Sequence, residues 1–272
     1  MRGYAAIFVL LGLLASLGWA PRVAAEDMLS PILVEGEDAV PEELALWELI
    51  EQQRYVRARE EAERYLAEHP ESYVAHLVLG SAQHYGEANF PKALFHEVQA
   101  LALFESKEGV EPAQTQPWRW HARILIALTR AHGDLEHYDE QLKFMLRYNE
   151  LYTPQLKAEM AWPLMKKREF EKARLAAEEG LATGDPYQIE RAKNALCAIE
   201  FEAGNDRESY EVCAEAVEYG ERHFGSATAV DLGNYAEAAR SVFRFDEAET
   251  LLTEASKSGL SWYGNPWLEL AD

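Results

Sequence analysis

Cysteine is scarce in this chain of 272 residues, with only Cys197 and Cys213. No Cys-x-x-Cys pair exists, which excludes a thioredoxin-type redox centre. Basic residues are also few: 26 Lys and Arg stand against 47 Asp and Glu, for a net charge of −21. A chain this acidic repels nucleic acid and anionic lipid head groups, so neither is expected as a partner. The acidity itself reads as solvated helix faces and good solubility. Zinc-protease and Cys–His zinc spacings, Gly-rich phosphate loops and nucleophile elbows are all missing. The eight His are scattered, and the pair flanking Gly133-Asp134, His132 and His137, reads as a surface pair at a turn. No catalytic set, cofactor or metal is therefore expected. Strand signals are nearly absent as well, because Val and Ile occur singly among apolar residues spaced three and four apart.

Long apolar runs occur only once, at the start. Arg2 precedes an apolar stretch from Tyr4 to Trp19, followed by PRVAAED. Val23 and Ala25 are small enough for signal-peptidase cleavage before Glu26. The stretch is shorter than the roughly 20 residues that span a bilayer. Residues 1–25 therefore read as a secretory signal peptide, with an uncleaved membrane anchor as the alternative. No later stretch is long enough to cross a membrane. The mature chain is expected to be exported to a periplasm or secreted.

The remaining chain divides by its breakers. Residues 26–40, with Pro31 and Gly36, read as a leader. Pro41-Glu42-Glu43 places Pro in a first helical turn and acids near the positive end of the helix dipole. Long helical stretches follow, broken at His69-Pro70, Gly86, Gly133-Asp134, Thr153-Pro154, Gly184-Asp185-Pro186, Gly204-Asn205 and Gly225. Pieces of this length joined by tight turns are helical hairpins.

The pieces repeat one another. In QRYVRAREEAERYLAEHP, NFPKALFHEVQALALFE, REFEKARLAAEEGLATGDP and FRFDEAETLLTEASKSG an aromatic residue precedes an Ala by three. The pairs are Tyr55/Ala58, Phe90/Ala93, Phe170/Ala173 and Phe245/Ala248. Seven residues after each Ala stand Tyr65, Ala100, Gly180 and Ala255. Leu79-Gly80 and Asp231-Leu232-Gly233-Asn234-Tyr235-Ala236 precede two of these pieces as first helices would. Pro70 and Pro186 close others.

This pattern resembles the tetratricopeptide repeat family, which has two helices per repeat and a period near 34 residues. The resemblance spans residues 41–258, with Tyr138 and Ser209 placed by spacing at the Ala position of the third and fifth repeats. Ser106 to Pro117, rich in Glu, Gly, Pro and Gln, reads as a loop inserted within the array. The stack is expected to bend at that insertion. The tail, residues 259–272, carries Trp262, Tyr263 and Trp267 and reads as a cap on the last repeat or as a docking tail. The resemblance implies an all-α fold, a right-handed solenoid of antiparallel helix pairs.

The same resemblance implies function. First helices line a concave groove that holds a protein or peptide partner. Aligned on this pattern, they place Trp120, Arg123, Arg130, Trp162, Met165, Lys166, Arg191, Asn194 and Phe201 along the groove. This strip is basic and aromatic within an acidic protein, suited to an extended acidic peptide, although aromatics at helical spacing commonly serve the core instead. The Lys and Asn set of the family's carboxylate clamp is missing. Cys197 and Cys213 face each other across the fifth hairpin in this alignment. They are expected either to form a disulfide in an oxidising compartment or to remain two buried thiols. The chain thus reads as a non-enzymatic interaction scaffold. The alternatives are carboxylate acid–base chemistry on a helical scaffold, or a purely structural part of an envelope complex.

Overall fold

The chain divides into two units, Met1–Leu33 and Val34–Asp272. The computed structural model describes residues 40–110, 118–152 and 156–258, all within the second unit. The expected signal peptide, the leader up to residue 39, residues 111–117 of the insertion and the tail lie outside the described residues.

The described residues hold twelve α-helices and no strand. They are α1 (Pro41–Glu51), α2 (Tyr55–Glu68), α3 (Tyr73–Glu87), α4 (Phe90–Glu108), α5 (Trp118–Asp134) and α6 (Tyr138–Leu151). After a 3-10 turn at Ala158–Met160 come α7 (Ala161–Lys166), α8 (Phe170–Ala182), α9 (Pro186–Glu202) and α10 (Asp206–Phe224). The last two are α11 (Ala229–Ser241) and α12 (Phe245–Ala255). They pair in order as six hairpins, each packed on the next, which makes an all-α solenoid of helix pairs.

The start signal at Pro41 acts as read, whereas Pro186, expected to close a second helix, opens the next first helix. α1 opens at Pro41 with Glu42 and Glu43 in its first turn. α9 opens at Pro186, and Asp185 caps it by accepting from the Gln188 amide at 2.9 Å. Thr228 and Asp231 form a reciprocal capping box on α11. Such caps satisfy amides that have no partner within the helix.

Every hairpin turns by the same backbone device. Two residues before each second helix, one residue has a left-handed conformation: Gln53, Ala88, Glu136, Arg168, Gly204 and Phe243, with φ between 50° and 81°. In five hairpins the next residue donates its N–H to a carbonyl five residues back. These bonds run from Arg54 to Leu49, His137 to His132, Glu169 to Leu164, Asn205 to Glu200 and Arg244 to Ala239. This closes the first helix and reverses the chain within three residues.

The turn fixes the register of the Ala position, which is the fourth residue of each second helix. Ala58, Ala93, Ala173 and Ala248 are buried there, as is Ser209. Tyr138 is not at this position. It is the first residue of α6, in line with Tyr55, Phe90, Phe170 and Phe245, and Gln141 occupies the tight position. Room for Gln141 comes from Gly133, where an added Cβ would lie 2.6 Å from the Gln141 amide nitrogen. Gly86 likewise does not break α3. It admits Tyr55, whose Cβ would lie 2.6 Å from a Cβ at residue 86.

The insertion is smaller than expected, since α4 continues through Ser106 to Glu108. The core also runs across it. Ala100 and Phe104 of α4 share one buried cluster with Trp120, Ile124 and Leu128 of α5. A second cluster begins at Ala158 and extends through α8 to Ile199 of α9. α6 joins the two, with Phe144 packed on the first cluster and Leu142 on the second, and further clusters follow around Cys197, Cys213 and Ala238 and around Ala236 and Leu252.

Five of the six left-handed turn residues carry a side chain, which costs roughly 1–2 kcal/mol each relative to glycine. Glu136→Gly should therefore raise stability by about 1 kcal/mol, and Gly204→Ala should lower it by a similar amount. Urea denaturation midpoints of the two variants, shifted in opposite directions, check this.

Candidate functional site

The residues expected along the groove sit on first helices α5, α7 and α9, but their environments differ. Trp120 is fully buried, meeting Trp47 edge-on at 5.7 Å, and Met165 is buried with Ala161 and Leu164. Both are core, and neither presents its side chain to a groove. The physical reason is the helix stack itself: a side chain pointing at the neighbouring hairpin cannot also face solvent. Trp162 and Phe201 are partly exposed, and Lys166 is the most exposed of the set, at 49%.

The cations of the strip are occupied within the chain. The Arg123 guanidinium lies 4.4 Å from the Trp47 ring and 4.9 Å from the Trp120 ring, and it donates to Glu51 at 3.2 Å. Arg130 donates to the Tyr85 hydroxyl and lies over that ring at 5.8 Å. Arg191 pairs with Glu159, and Lys166 lies 3.6 Å from Glu202. Asn194 accepts from Asn234 of α11 at 2.7 Å. These contacts link α5 to α1 and α3, and α9 to α7, to the 3-10 turn before it and to α11. Three of the four cations thus face a carboxylate of another hairpin, Glu51, Glu159 or Glu202, which offsets the basic character expected from the sequence.

Three groups in this region were missed by the sequence reading. His84 of α3 meets Asp134 of α5 at 3.1 Å, beside Tyr85 and Arg130. Glu97 of α4 is 1% exposed, with its Oε2 buried and without a hydrogen-bond partner. Burial pushes the Glu97 carboxyl up to about 8; Arg130 opposes this and Asp134 adds to it. Glu97 packs where Gly80 leaves room, since a Cβ at residue 80 would meet Glu97 Cγ at 2.9 Å. The third group is His76 and His96, whose Nδ1 atoms face each other at 3.0 Å. No sequence motif marks these groups, because their members come from different helices.

Elsewhere, Arg174 of α8 grips Glu200 of α9 with Nε and Nη2 at 2.6 and 3.0 Å, and Asn205 donates to the same carboxylate at 2.6 Å. The Arg174 hydrogen bond holds the Glu200 carboxyl below its usual range. An open cleft of about 410 Å3 lies here, walled by Glu178, Leu196, Glu208 and Val212 as well. Cys197 of α9 and Cys213 of α10 face each other with Cα atoms 4.7 Å apart, their sulfurs joined at 2.03 Å.

Comparison with solved structures decides the fold. The crystal structure of PilW, a widely conserved type IV pilus biogenesis factor, superposes with a TM-score of 0.60. That match has 17% identity and covers 84% of this chain and 96% of PilW. The fold is tetratricopeptide-like. BtubC from P. vanneervenii is similar at a TM-score of 0.50, with 16% identity over 83% of this chain and 94% of that one. A tetratricopeptide repeat protein from Parabacteroides merdae aligns at 0.48 with 14% identity over 82% and 95%, a likeness too distant to bear weight. No protein-family model matches the sequence. No curated protein matches it either. Among the described residues of this tetratricopeptide-like array, no helix is long and apolar enough to cross a membrane.

Two measurements follow. Glu97 holds its proton more tightly folded than unfolded, so its contribution is full below about pH 4.5. That contribution declines as pH rises towards 8, by an amount on the order of a few kcal/mol. Glu97→Gln should flatten the stability profile between pH 5 and 8 relative to wild type, read by denaturant titration at each pH. The cysteine pair closes a short loop, which in the chain-entropy model stabilises by about 3 kcal/mol. Cys197→Ser/Cys213→Ser should lower the unfolding midpoint accordingly, and intact-mass analysis under alkylation should find no free thiol in the purified protein.

Proposed function

We propose that this chain is an exported, non-enzymatic scaffold that holds a segment of another protein against the face formed by its first helices. The observation that carries this reading is the run of six stacked hairpins, in which the first helices α1, α3 and α5 pack in series, as do α7, α9 and α11. Extended surfaces of this kind arise whenever repeats stack with a small rotation per unit. Export is supported by the apolar N-terminal run and by the joined Cys197–Cys213 sulfurs, which suit an oxidising compartment. The pilus biogenesis role of one fold neighbour supports a cell-envelope setting.

The partner contacts belong to the exposed part of the strip: Trp162, Lys166 and Phe201, with Tyr85 beside Arg130. The internal pairing of Arg123, Arg130 and Arg191 argues against a strongly anionic peptide. A segment of mixed character, held by ring contacts and backbone hydrogen bonds, fits better. An acid–base enzyme would need a carboxyl of raised pKa open to a substrate. Glu97 has the raised pKa, but it is sealed between α3 and α4.

The test is site-specific photo-crosslinking in the native envelope. A photoreactive residue at Lys166 or Phe201 should give a discrete protein adduct, whereas one at Glu211, on the outer face of α10, should give none. Adducts at Glu211 with none at the first helices would move the interface to the outer helices and favour the structural-subunit reading. Arg123 is unsuitable as a probe, because replacing it removes an ion pair and two ring contacts from the core.

A further inference from the structure

The second hairpin carries a pair of imidazoles that the interaction role does not use. His76 is the fourth residue of α3 and His96 the seventh of α4. Their Nδ1 atoms approach to 3.0 Å, and the rings lie 29° from parallel with centroids 5.3 Å apart. Both rings are half-buried, so one side of the pair is reached by solvent. Two neutral imidazoles brought nitrogen to nitrogen have two ways to be satisfied: they share one proton, or both lone pairs take a cation.

We propose that His76 and His96 form a two-nitrogen site for a divalent transition-metal ion, of which Cu2+ fits best. The chemistry of the donors selects this class. Imidazole nitrogen suits copper, nickel and zinc, whereas magnesium and calcium require oxygen ligands. Neither carboxylate nor thiolate joins the pair, and no group of three metal-binding side chains occurs among the described residues. Water fills the remaining positions.

The spacing selects within the class. With bonds of about 2.0–2.1 Å, two nitrogens 3.0 Å apart subtend roughly 90° at the metal. That is the angle between neighbouring ligands in a tetragonal site, the geometry of Cu2+ and Ni2+. A tetrahedral zinc ion needs the nitrogens a few tenths of an ångström further apart. Affinity also rises to Cu2+ along the first-row series.

Outer support is present for one ligand. The Pro70 backbone carbonyl, in the turn before α3, accepts a hydrogen bond from the His76 ring. A ligand imidazole commonly gives its other ring proton to a carbonyl, which fixes its orientation. The Phe95 ring stands edge-on to His96 at 5.1 Å and walls one side. A second pair, His132 and His137, is 3.4 Å apart across the α5–α6 turn, with His132 stacked on Phe144, and serves as a control.

The test is calorimetric titration of CuCl2 into purified protein free of any histidine tag and with its disulfide intact. Electron paramagnetic resonance of the one-to-one complex accompanies it. One Cu2+ should bind per chain with a tetragonal, two-nitrogen spectrum. His76→Ala and His96→Ala should each weaken binding at least tenfold, while His132→Ala leaves it unchanged. Circular dichroism and thermal melts confirm that each variant is folded, and His76→Gln and His96→Gln replace any that is not. The proposal is overturned if wild type shows no saturable Cu2+ binding. It is equally overturned if both single variants bind as wild type does.

Discussion

The close approach of two helices at one small residue is the constraint on which this structure rests. Ala58, Ala93, Ala173, Ser209 and Ala248 occupy the fourth position of their helices and are buried there. A larger side chain at that point would push the hairpin apart and expose both apolar faces, at roughly 1–3 kcal/mol for an overpacked contact. The left-handed turn residue two places before each second helix sets this register. Backbone and packing are thus coupled: the turn decides which residue meets the first helix, and that residue's size decides how near the helices come. The third hairpin shows the coupling by exception. Gln141 is too large for the position, and Gly133 on the facing helix gives the space back.

Stacking then determines what remains for function. A hairpin cannot bury its apolar face alone, so each leans on its neighbours. The cost to the inner surface is that its cations are drawn into contacts with other helices of the stack. Arg123 binds across to α1, Arg130 across to α3, and Arg191 to the turn before α7. Most cations of a strip that is basic by composition are therefore already paired with carboxylates by geometry. The groups that stay open are fewer and more aromatic than the sequence implies.

Much of the architecture is legible in the residues. The aromatic–Ala spacing, Pro41, the Gly184-Asp185-Pro186 break and the Gly204 turn locate helices correctly, because local backbone chemistry acts on neighbouring residues. Tyr138 shows where such reading slips. Spacing alone places it at the small position, but the turn at Glu136 moves it three residues away. Trp120 and Met165 show a second limit. Periodicity puts them on first helices, yet which face of a first helix meets the next hairpin depends on the stack. His76 and His96 are twenty residues apart and become neighbours only through the register of Gly80 against Ala93 and Glu97.

The sequence by itself determined the helix pairs, their order and the small residues that let them pack, because each of these follows from contacts close along the chain. It also placed two cysteines at facing positions of one hairpin. The tertiary structure alone decided that α6 bridges two buried clusters, that Glu97 is buried as a carboxyl of raised pKa, and that Arg123 and Arg191 of the strip are paired within the chain. Those outcomes depend on which hairpin lies against which, and that is a property of the whole stack.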